Sequence, residues 1–296
     1  MTKLSLSVAL QPYEHAIDLL TDRVSAEGVD LNWLRIAGAS IGERFAERRE
    51  FDVAEMDLAE YVARLSHGDR SILALPVFLS RQLMPGAVWV RIGGTLSKLE
   101  DLASARLRCA ADSQTVAIYM RQWLGEAIGF DGTAPWPMLS TAALQDKLMA
   151  GEVDAGFSLH RLAVPQGALR RLIDDIAAAE QRAYQTTKVF PILRVVCIHR
   201  DLAARHPWLP ASLYEGFNQA KRASLGRLIG AGMSRYPLPW LNAEVTRIRA
   251  VFGEDFWPYG LEANRPTLEA FLAAAKAQGA SSPSLRVEDL FGEVAG

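Results

Sequence analysis

Two neighbouring predicted strands end in side chains that could do acid–base or carboxylate chemistry. The run FDVAEM places Glu55 near the end of one strand, and LALPVFLSR places Ser80 and Arg81 at the end of the next. Ligands of open α/β sheets bind beyond the carboxyl ends of the strands, so these side chains outline one side of a predicted cleft. The alternative interpretation is two core strands with solvated ends.

Arg81 and Glu55 are the first candidates for specific roles. A planar guanidinium binds a carboxylate through two parallel hydrogen bonds, which makes Arg81 the first choice for holding one. A surface salt bridge is the equally weighted alternative for Arg81. Glu55 follows an apolar strand, and a partly buried carboxylate is suited to proton transfer. A solvated carboxylate that caps the next helix is the alternative for Glu55.

Further polar side chains at predicted strand or turn ends would form the rest of the cleft. They are Tyr13, His15, Ser113, Gln114, Thr115, His160, Arg161 and Arg194. Residues 113–115 lie between a predicted strand and an amphipathic helix, where free backbone N–H groups and the helix dipole favour an anion. The alternative, of at least equal weight, is that Ser113 or Thr115 only caps the helix.

Several common chemistries are not indicated. The sequence contains no Gly-x-Gly-x-x-Gly turn and no Walker sequence, and its five histidines lack metal-ligand spacing with another His or Cys. We therefore expect neither nucleotide binding nor hydrolase chemistry, and we predict no metal site.

Composition is typical of a globular protein with two modest domains. The chain has 296 residues, of which 50% are hydrophobic and 22% charged, with a net charge of −2. Because no basic face is evident, we expect no nucleic acid and no membrane partner. Cys109 and Cys197 lie in apolar runs, which suits core residues in a reducing compartment, although a single disulfide stays open.

The first residues predict a strand instead of a signal peptide. Hydrophobic residues alternate at Leu4, Leu6, Val8 and Leu10, and no small-residue cleavage site follows a continuous apolar core. A cytoplasmic location is therefore expected, unless a leader was removed.

The order of predicted elements indicates a two-lobed α/β fold. Strands and helices alternate as far as the strand that ends at Arg81, a second α/β pattern follows, and the chain becomes helical after residue 200. We expect a first lobe formed by 1–87 and 191–296, including the C-terminal helices, with a second lobe inserted at 88–190. Such lobes hold a ligand between them, and hinge closure would bury it.

Several motifs resemble one known family. The runs FDVAEM, LPVFLSR, VFPILRVVCIHRDL, HPWLPASLYEGFNQAK and DFWPYGLEANRPTLEAF are similar to those of the 4,5-dihydroxyphthalate decarboxylase family, whose fold is similar to type 2 periplasmic binding proteins. The resemblance covers nearly the whole chain. It implies cofactor-independent decarboxylation of a dihydroxylated aromatic dicarboxylate. Arg81 matches the arginine of the family motif Pro-Val-Phe-x-Ser-Arg, and Glu55 matches the glutamate of the strand motif.

The chain also departs from the family pattern at two places. The family has an Arg-His pair shortly after Ser-Arg, where this chain has Met84 and Pro85, and a histidine after Phe-Pro-Ile, where this chain has Arg194. Two candidate proton carriers are thus replaced, and one guanidinium is added.

The leading hypothesis is a decarboxylase of hydroxylated aromatic (di)carboxylic acids active in aromatic compound catabolism. Arg81 and Arg194 would hold carboxylates, and Glu55 or His160 would move protons. The alternative is a non-catalytic solute-binding or sensory protein for a small carboxylate or aromatic ligand. A small aromatic carboxylate is the expected partner under both, and homo-oligomer formation stays open. Asn264 and its aromatic neighbours are expected to pack the closing helix onto the first lobe.

Overall fold

The computed structural model describes residues 2–36, 41–110, 114–131, 136–159, 162, 167–230, 236–282 and 284–292. The described chain forms two five-stranded sheets flanked by helices, so the predicted two-lobed α/β architecture is confirmed.

The first sheet is mostly parallel. Its strand order is β2-β1-β3-β10-β4, with β1 at Leu4–Ala9, β2 at Val29–Trp33, β3 at Val53–Asp57, β4 at Ile72–Arg81 and β10 at Ile192–His199. Strand β1 pairs in parallel with β2 and β3, whereas β10 runs antiparallel between β3 and β4. The reversed strand is the one that brings the chain back from the second sheet, which explains why its direction differs.

The second sheet is formed by the part of the sequence between β4 and β10 of the first sheet. Its order is β7-β6-β8-β5-β9, with β5 at Val88–Arg91, β6 at Leu107–Ala110, β7 at Met138–Leu139, β8 at Ala155–Phe157 and β9 at Leu169–Arg171. Strand β6 is parallel to β7 and β8, and β5 is antiparallel to β8 and β9. The chain crosses between the sheets after Arg81 and again before Ile192.

Helices connect the strands and cover both sheets. They are α1 Ile17–Leu20, α2 Ile41–Ala46, α3 Leu58–Ser66, α4 Gln114–Ile128, α5 Thr141–Ala150, α6 Ile176–Thr187, α7 Arg200–Arg205, α8 Leu209–Ile229, α9 Leu241–Phe252, α10 Arg265–Ala277 and α11 Glu288–Phe291. Helix α5 ends at a glycine, since Gly151 has a left-handed φ of 72°. Helix α1 is short, because the N–H groups of Arg23 and Val24 both donate to the Asp18 carbonyl.

One continuous apolar core joins the two sheets. It includes Val53 of the first sheet, Phe157 of the second and Tyr119 of α4. The Tyr119 ring lies 5.1 Å from the ring of Phe271 on α10, so the helix that follows β6 packs against the C-terminal region. Cys109 and Cys197 are both buried thiols that form no disulfide, as expected for core residues. No helix within the described residues is long and apolar enough to cross a membrane.

Candidate functional site

A buried carboxylate with two hydrogen-bond donors forms the centre of the candidate site. Glu55 lies on β3 with a fully buried side chain. Its Oε1 accepts a hydrogen bond of 2.9 Å from the backbone N–H of Gln11, and its Oε2 accepts one of 2.6 Å from the hydroxyl of Tyr13. The chain that follows β1 is thereby held against the carboxyl end of β3, as sequence analysis expected for the ends of parallel strands.

Arg194 extends from β10 beside this carboxylate. Its Nε lies 3.8 Å from Glu55 Oε2, and its side chain is 23% exposed. In the strand register Arg194 pairs with Asp57 on one side and with Ser80 on the other, so all three positions lie on one face of the sheet. With the residues that the structure describes, the Arg194 guanidinium makes this ion pair and no hydrogen bond. Most of its N–H groups are thus available to a ligand.

The Tyr13 hydroxyl is kept in its protonated form. Burial, the negative charge of Glu55 and the hydrogen bond to that carboxylate raise the pKa of Tyr13 well above its usual value of 10.0. The charge of Arg194 and the Ser80 side chain oppose this rise in part. Tyr13 therefore acts as a stable donor to Glu55 at neutral pH.

His15 lies in an aromatic setting next to Tyr13. The centroid of its ring is 5.7 Å from that of Tyr13, 5.3 Å from Trp257 and 6.2 Å from Tyr259. Its Nε2 is buried and has no hydrogen-bond partner in the described part of the chain. Burial, followed by the positive charges of Lys221 and Arg81, lowers the pKa of His15 to about 4. A neutral imidazole with a free polar nitrogen therefore faces these rings.

Lys221 is a site-forming residue that sequence analysis did not predict. Its Nζ donates hydrogen bonds of 2.7 Å to Asp255 Oδ2 and 3.1 Å to the Trp257 carbonyl, and lies 4.8 Å from the Tyr259 ring centroid. The available signal was helical spacing, because Lys221 follows Phe217 by four residues on the buried face of α8. Lys221 holds the segment that carries Trp257 and Tyr259.

Arg81 is bound by the protein itself. Its side chain is 6% exposed, Nη1 donates to the Phe190 carbonyl at 3.1 Å, and Nη2 donates to the Pro258 carbonyl at 2.8 Å and to Asn264 Oδ1. Asn264 Nδ2 donates in turn to the carbonyls of Pro258 and Gly260. Arg81 thus anchors the segment before α10 to β4, while its buried Nε has no hydrogen-bond partner among the described residues, and its role as a carboxylate ligand stays a prediction. The packing role predicted for Asn264 is confirmed.

Thr115, at the predicted anion site, forms a contact between two helices. Thr115 is buried, and its hydroxyl donates to Asp57 Oδ1 at 2.6 Å and accepts from the Ala59 N–H at 2.9 Å. It therefore ties α4 to the start of α3, which favours the structural alternative, and ligand binding by Thr115 stays a prediction. Gln114 is exposed at the first position of α4. Three other candidates, Ser113, His160 and Arg161, lie outside the described residues.

Two of the three residues that depart from the family pattern face the protein interior, whereas the third, Arg194, lies at the candidate site. Met84 and Pro85 are buried at a 3-10 helix, Pro85–Ala87, and line a void of about 30 Å³ beside Tyr119. A larger cavity of about 440 Å³ lies between α6 and α9, with Arg81 and Trp257 in its wall. Tyr13, His15, Glu55 and Arg194 do not line this cavity, which adjoins the candidate site at Trp257.

One sequence pattern bears on the expectation that hydrolase chemistry is absent. The run GASIG at 38–42 has the Gly-x-Ser-x-Gly spacing that is typical of a hydrolase nucleophile. Ser40 lies outside the described residues, and the two that follow it begin α2. A nucleophile of this kind needs a base within hydrogen-bond reach, so the spacing by itself assigns no role.

Comparisons with known proteins bear on the family. No family model matches the sequence. A curated 4,5-dihydroxyphthalate decarboxylase from Comamonas testosteroni is 26% identical, across 98% of this chain and 97% of that protein. The predicted resemblance to the 4,5-dihydroxyphthalate decarboxylase family is confirmed. A second protein of that name, from Pseudomonas putida, is 26% identical across 44% of this chain and 50% of its own length. The modest identity makes this chain a divergent relative of the decarboxylases.

Solved structures establish the fold of this divergent relative of the decarboxylases. The periplasmic aliphatic sulphonate binding protein SsuA from Escherichia coli matches with a TM-score of 0.59 at 12% identity, across 99% of this chain and 98% of that chain. The alkanesulfonate-binding protein SsuA from Xanthomonas axonopodis pv. citri, bound to MOPS, matches with a TM-score of 0.55 at 15% identity, with the same coverage. The two lobes therefore have the periplasmic-binding-protein architecture.

Proposed function

We propose that this protein is a decarboxylase that acts, without a cofactor, on a hydroxylated aromatic (di)carboxylic acid similar to 4,5-dihydroxyphthalate. The observation that carries the proposal is the group formed by Tyr13, Glu55 and Arg194. It combines a proton-accepting carboxylate, a hydroxyl bonded to it at 2.6 Å and a guanidinium with unused N–H groups, all at one edge of the first sheet.

The chemistry requires electron density on the ring and a proton at one ring carbon. When carbon dioxide leaves, the electron pair of the broken carbon–carbon bond stays on the ring carbon, which takes up one proton. The balanced reaction is ArCOO⁻ + H⁺ → ArH + CO₂. Partial removal of a proton from a ring hydroxyl raises the electron density of the ring and lowers the barrier.

Tyr13 and Glu55 could raise the electron density of the ring by acting as a proton relay. Glu55 is fully buried, whereas Tyr13 is only half-buried and bonds to Glu55 through its hydroxyl. A ring hydroxyl of the substrate would donate to the Tyr13 oxygen while the Tyr13 proton moves toward Glu55. Arg194 would hold a carboxylate and fix the ring in place. His160 remains the sequence-predicted candidate for delivering the proton to the ring carbon.

A second candidate function is binding of a small anion without turnover. The observation that favours it is the fold, which the chain shares with sulfonate-binding proteins, one of them bound to MOPS. An unengaged guanidinium on β10 would serve such a protein equally well.

Carbon dioxide release from 4,5-dihydroxyphthalate distinguishes the two functions. We expect release by the unmodified protein, and an approximately 100-fold lower kcat in Glu55→Gln with an almost unchanged melting temperature, because the amide is isosteric but cannot accept the proton. Arg48→Gln, an exposed arginine paired with Glu43, is the matched control and should keep full activity. Binding of the acid by the unmodified protein with no carbon dioxide would contradict the decarboxylase and support the binding protein.

A further inference from the structure

The cations that the structure describes around the candidate site are not equivalent. The charge of Arg194 opposes the rise in the pKa of Tyr13, and burial together with the charges of Lys221 and Arg81 lowers the pKa of His15. Lys221 donates to Asp255 and to the Trp257 carbonyl, and both Nη atoms of Arg81 donate to protein acceptors, whereas its buried Nε has no partner among the described residues. Among the described residues, Arg194 makes a 3.8 Å contact with Glu55 and no hydrogen bond. Of these described cations, Arg194 is therefore the one with most N–H groups available to a substrate carboxylate beside Tyr13.

Decarboxylation determines which carboxylate that guanidinium should hold. The carboxylate that leaves becomes neutral carbon dioxide, so its negative charge decreases as the bond breaks. A cation bound to it would stabilise the substrate more than the transition state and would slow the reaction. The carboxylate that stays on the ring keeps its negative charge during the reaction. A cation bound to it therefore contributes binding and orientation without stabilising the substrate more than the transition state.

The rest of the wall beside Tyr13 is aromatic. Next to Tyr13 lie the rings of His15 and Trp257, whose centroids are 5.3 Å apart. Burial and the positive charges of Lys221 and Arg81 lower the pKa of His15 to about 4, so His15 itself carries no charge at neutral pH. A carboxylate placed against these rings would lose hydration without a direct ion pair, because Lys221 and both Nη atoms of Arg81 already donate to protein acceptors.

We propose that Arg194 binds the carboxylate that the product keeps, and that the carboxylate that leaves lies unpaired against the wall formed by Tyr13, His15 and Trp257. The substrate class is then an aromatic acid with two neighbouring carboxylates, of which one serves as a handle. This inference rests on the proposed decarboxylase function. The pair of electrons from the broken bond stays on the ring carbon, which is protonated, and the handle does not react.

A comparison of one diacid with its monomethyl ester tests the inference. We expect that the unmodified protein shows an approximately 100-fold lower kcat/KM for the monomethyl ester of 4,5-dihydroxyphthalate than for the diacid, because the charge-assisted bonds to the handle are lost. In Arg194→Gln the two compounds should react at similar rates, since the ester and the substitution remove the same interaction. Arg194→Lys should recover part of the preference, and Arg48→Gln should keep all of it.

Binding of the product provides a second measurement that does not depend on turnover by the variant. The expected product, 3,4-dihydroxybenzoate, keeps the handle, so calorimetry should show approximately 100-fold weaker binding to Arg194→Gln than to the unmodified protein. Two results would overturn the inference and leave the decarboxylase function standing. One is a preference for the diacid over the ester that is equal in Arg194→Gln and the unmodified protein. The other is product binding that the substitution does not change. An absence of carbon dioxide from both compounds overturns both.

Discussion

Two arginines at the same end of the first sheet have opposite surroundings. Arg81 ends β4 and donates to three acceptors that belong to the segments at 190 and 258–264. Arg194 lies on the adjacent strand β10 and, among the described residues, has one ion pair at 3.8 Å. Both are arginines near the same end of adjacent strands, so the acceptors brought by the rest of the chain decide which guanidinium is structural.

The segment that packs against β4 explains the difference. Ile192 pairs with Arg81 and Arg194 pairs with Ser80, with a register shift between the two pairs, so β4 and β10 are irregular where the two arginines lie. The C-terminal segment lies along β4, where the Trp257 indole donates to the Phe78 carbonyl at 2.9 Å and the Gly260 N–H donates to the Pro76 carbonyl at 2.8 Å. Arg194 faces Glu55 and stays accessible.

Substitution of the two arginines should give the largest contrast. We expect Arg81→Gln to reduce the free energy of unfolding by about 3 kcal/mol, because the carbonyls of Phe190 and Pro258 and the Asn264 side chain lose a buried charged donor. Arg194→Gln should change it by less than about 1 kcal/mol, because its side chain is partly exposed and makes one long ion pair. Urea unfolding followed by fluorescence measures both. Similar losses in the two variants would mean that Arg194 is also structural.

His15 lies between the two regions and should make stability depend on pH. Its folded-state pKa of about 4 is below the usual 6.5, so the contribution of the neutral imidazole is complete above pH 6.5 and is lost as pH falls from 6.5 to 4. Between pH 7 and pH 5 we expect His15 to account for a decrease of about 2 kcal/mol.

The test compares urea unfolding of the unmodified protein and of His15→Gln at the two pH values. The variant should lose less stability on acidification than the unmodified protein. An equal decrease in both would show that His15 is not held neutral by its surroundings, and that the charge of Arg81 does not act on the site.

Thr115 should give the smallest effect, and it tests whether the Arg194 face depends on the second sheet. Thr115→Val removes the bonds to Asp57 and to the Ala59 N–H, and we expect a loss of about 1 kcal/mol in the free energy of unfolding. Thr246→Val, whose exposed hydroxyl bonds only to the Asn242 carbonyl within its own helix, is the control and should change stability by less than about 0.5 kcal/mol. Equal effects of the two substitutions would show that the contact between α3 and α4 adds no stability.

The sequence by itself was sufficient for the fold and for part of the site. Alternation of apolar residues, the glycine stop at Gly151 and the order of elements depend on local backbone preferences, which is why the two-lobed architecture could be predicted. The position of Glu55 at a strand end also followed from local pattern. The lobe boundaries near 87 and 190 and the cytoplasmic location stay predictions.

Only the tertiary structure decided the partners of each polar side chain. Arg81 looked like a ligand because the segment that binds it lies more than 170 residues later in the chain, as in the bond to Pro258 with a separation of 177 residues. Thr115 was equally ambiguous until Asp57, 58 residues earlier, was seen to accept its hydrogen bond. Lys221 gave no signal other than its place on a buried helix face. Hydrogen bonds and desolvation depend on distances in space, and the spacing of residues along a chain does not contain those distances.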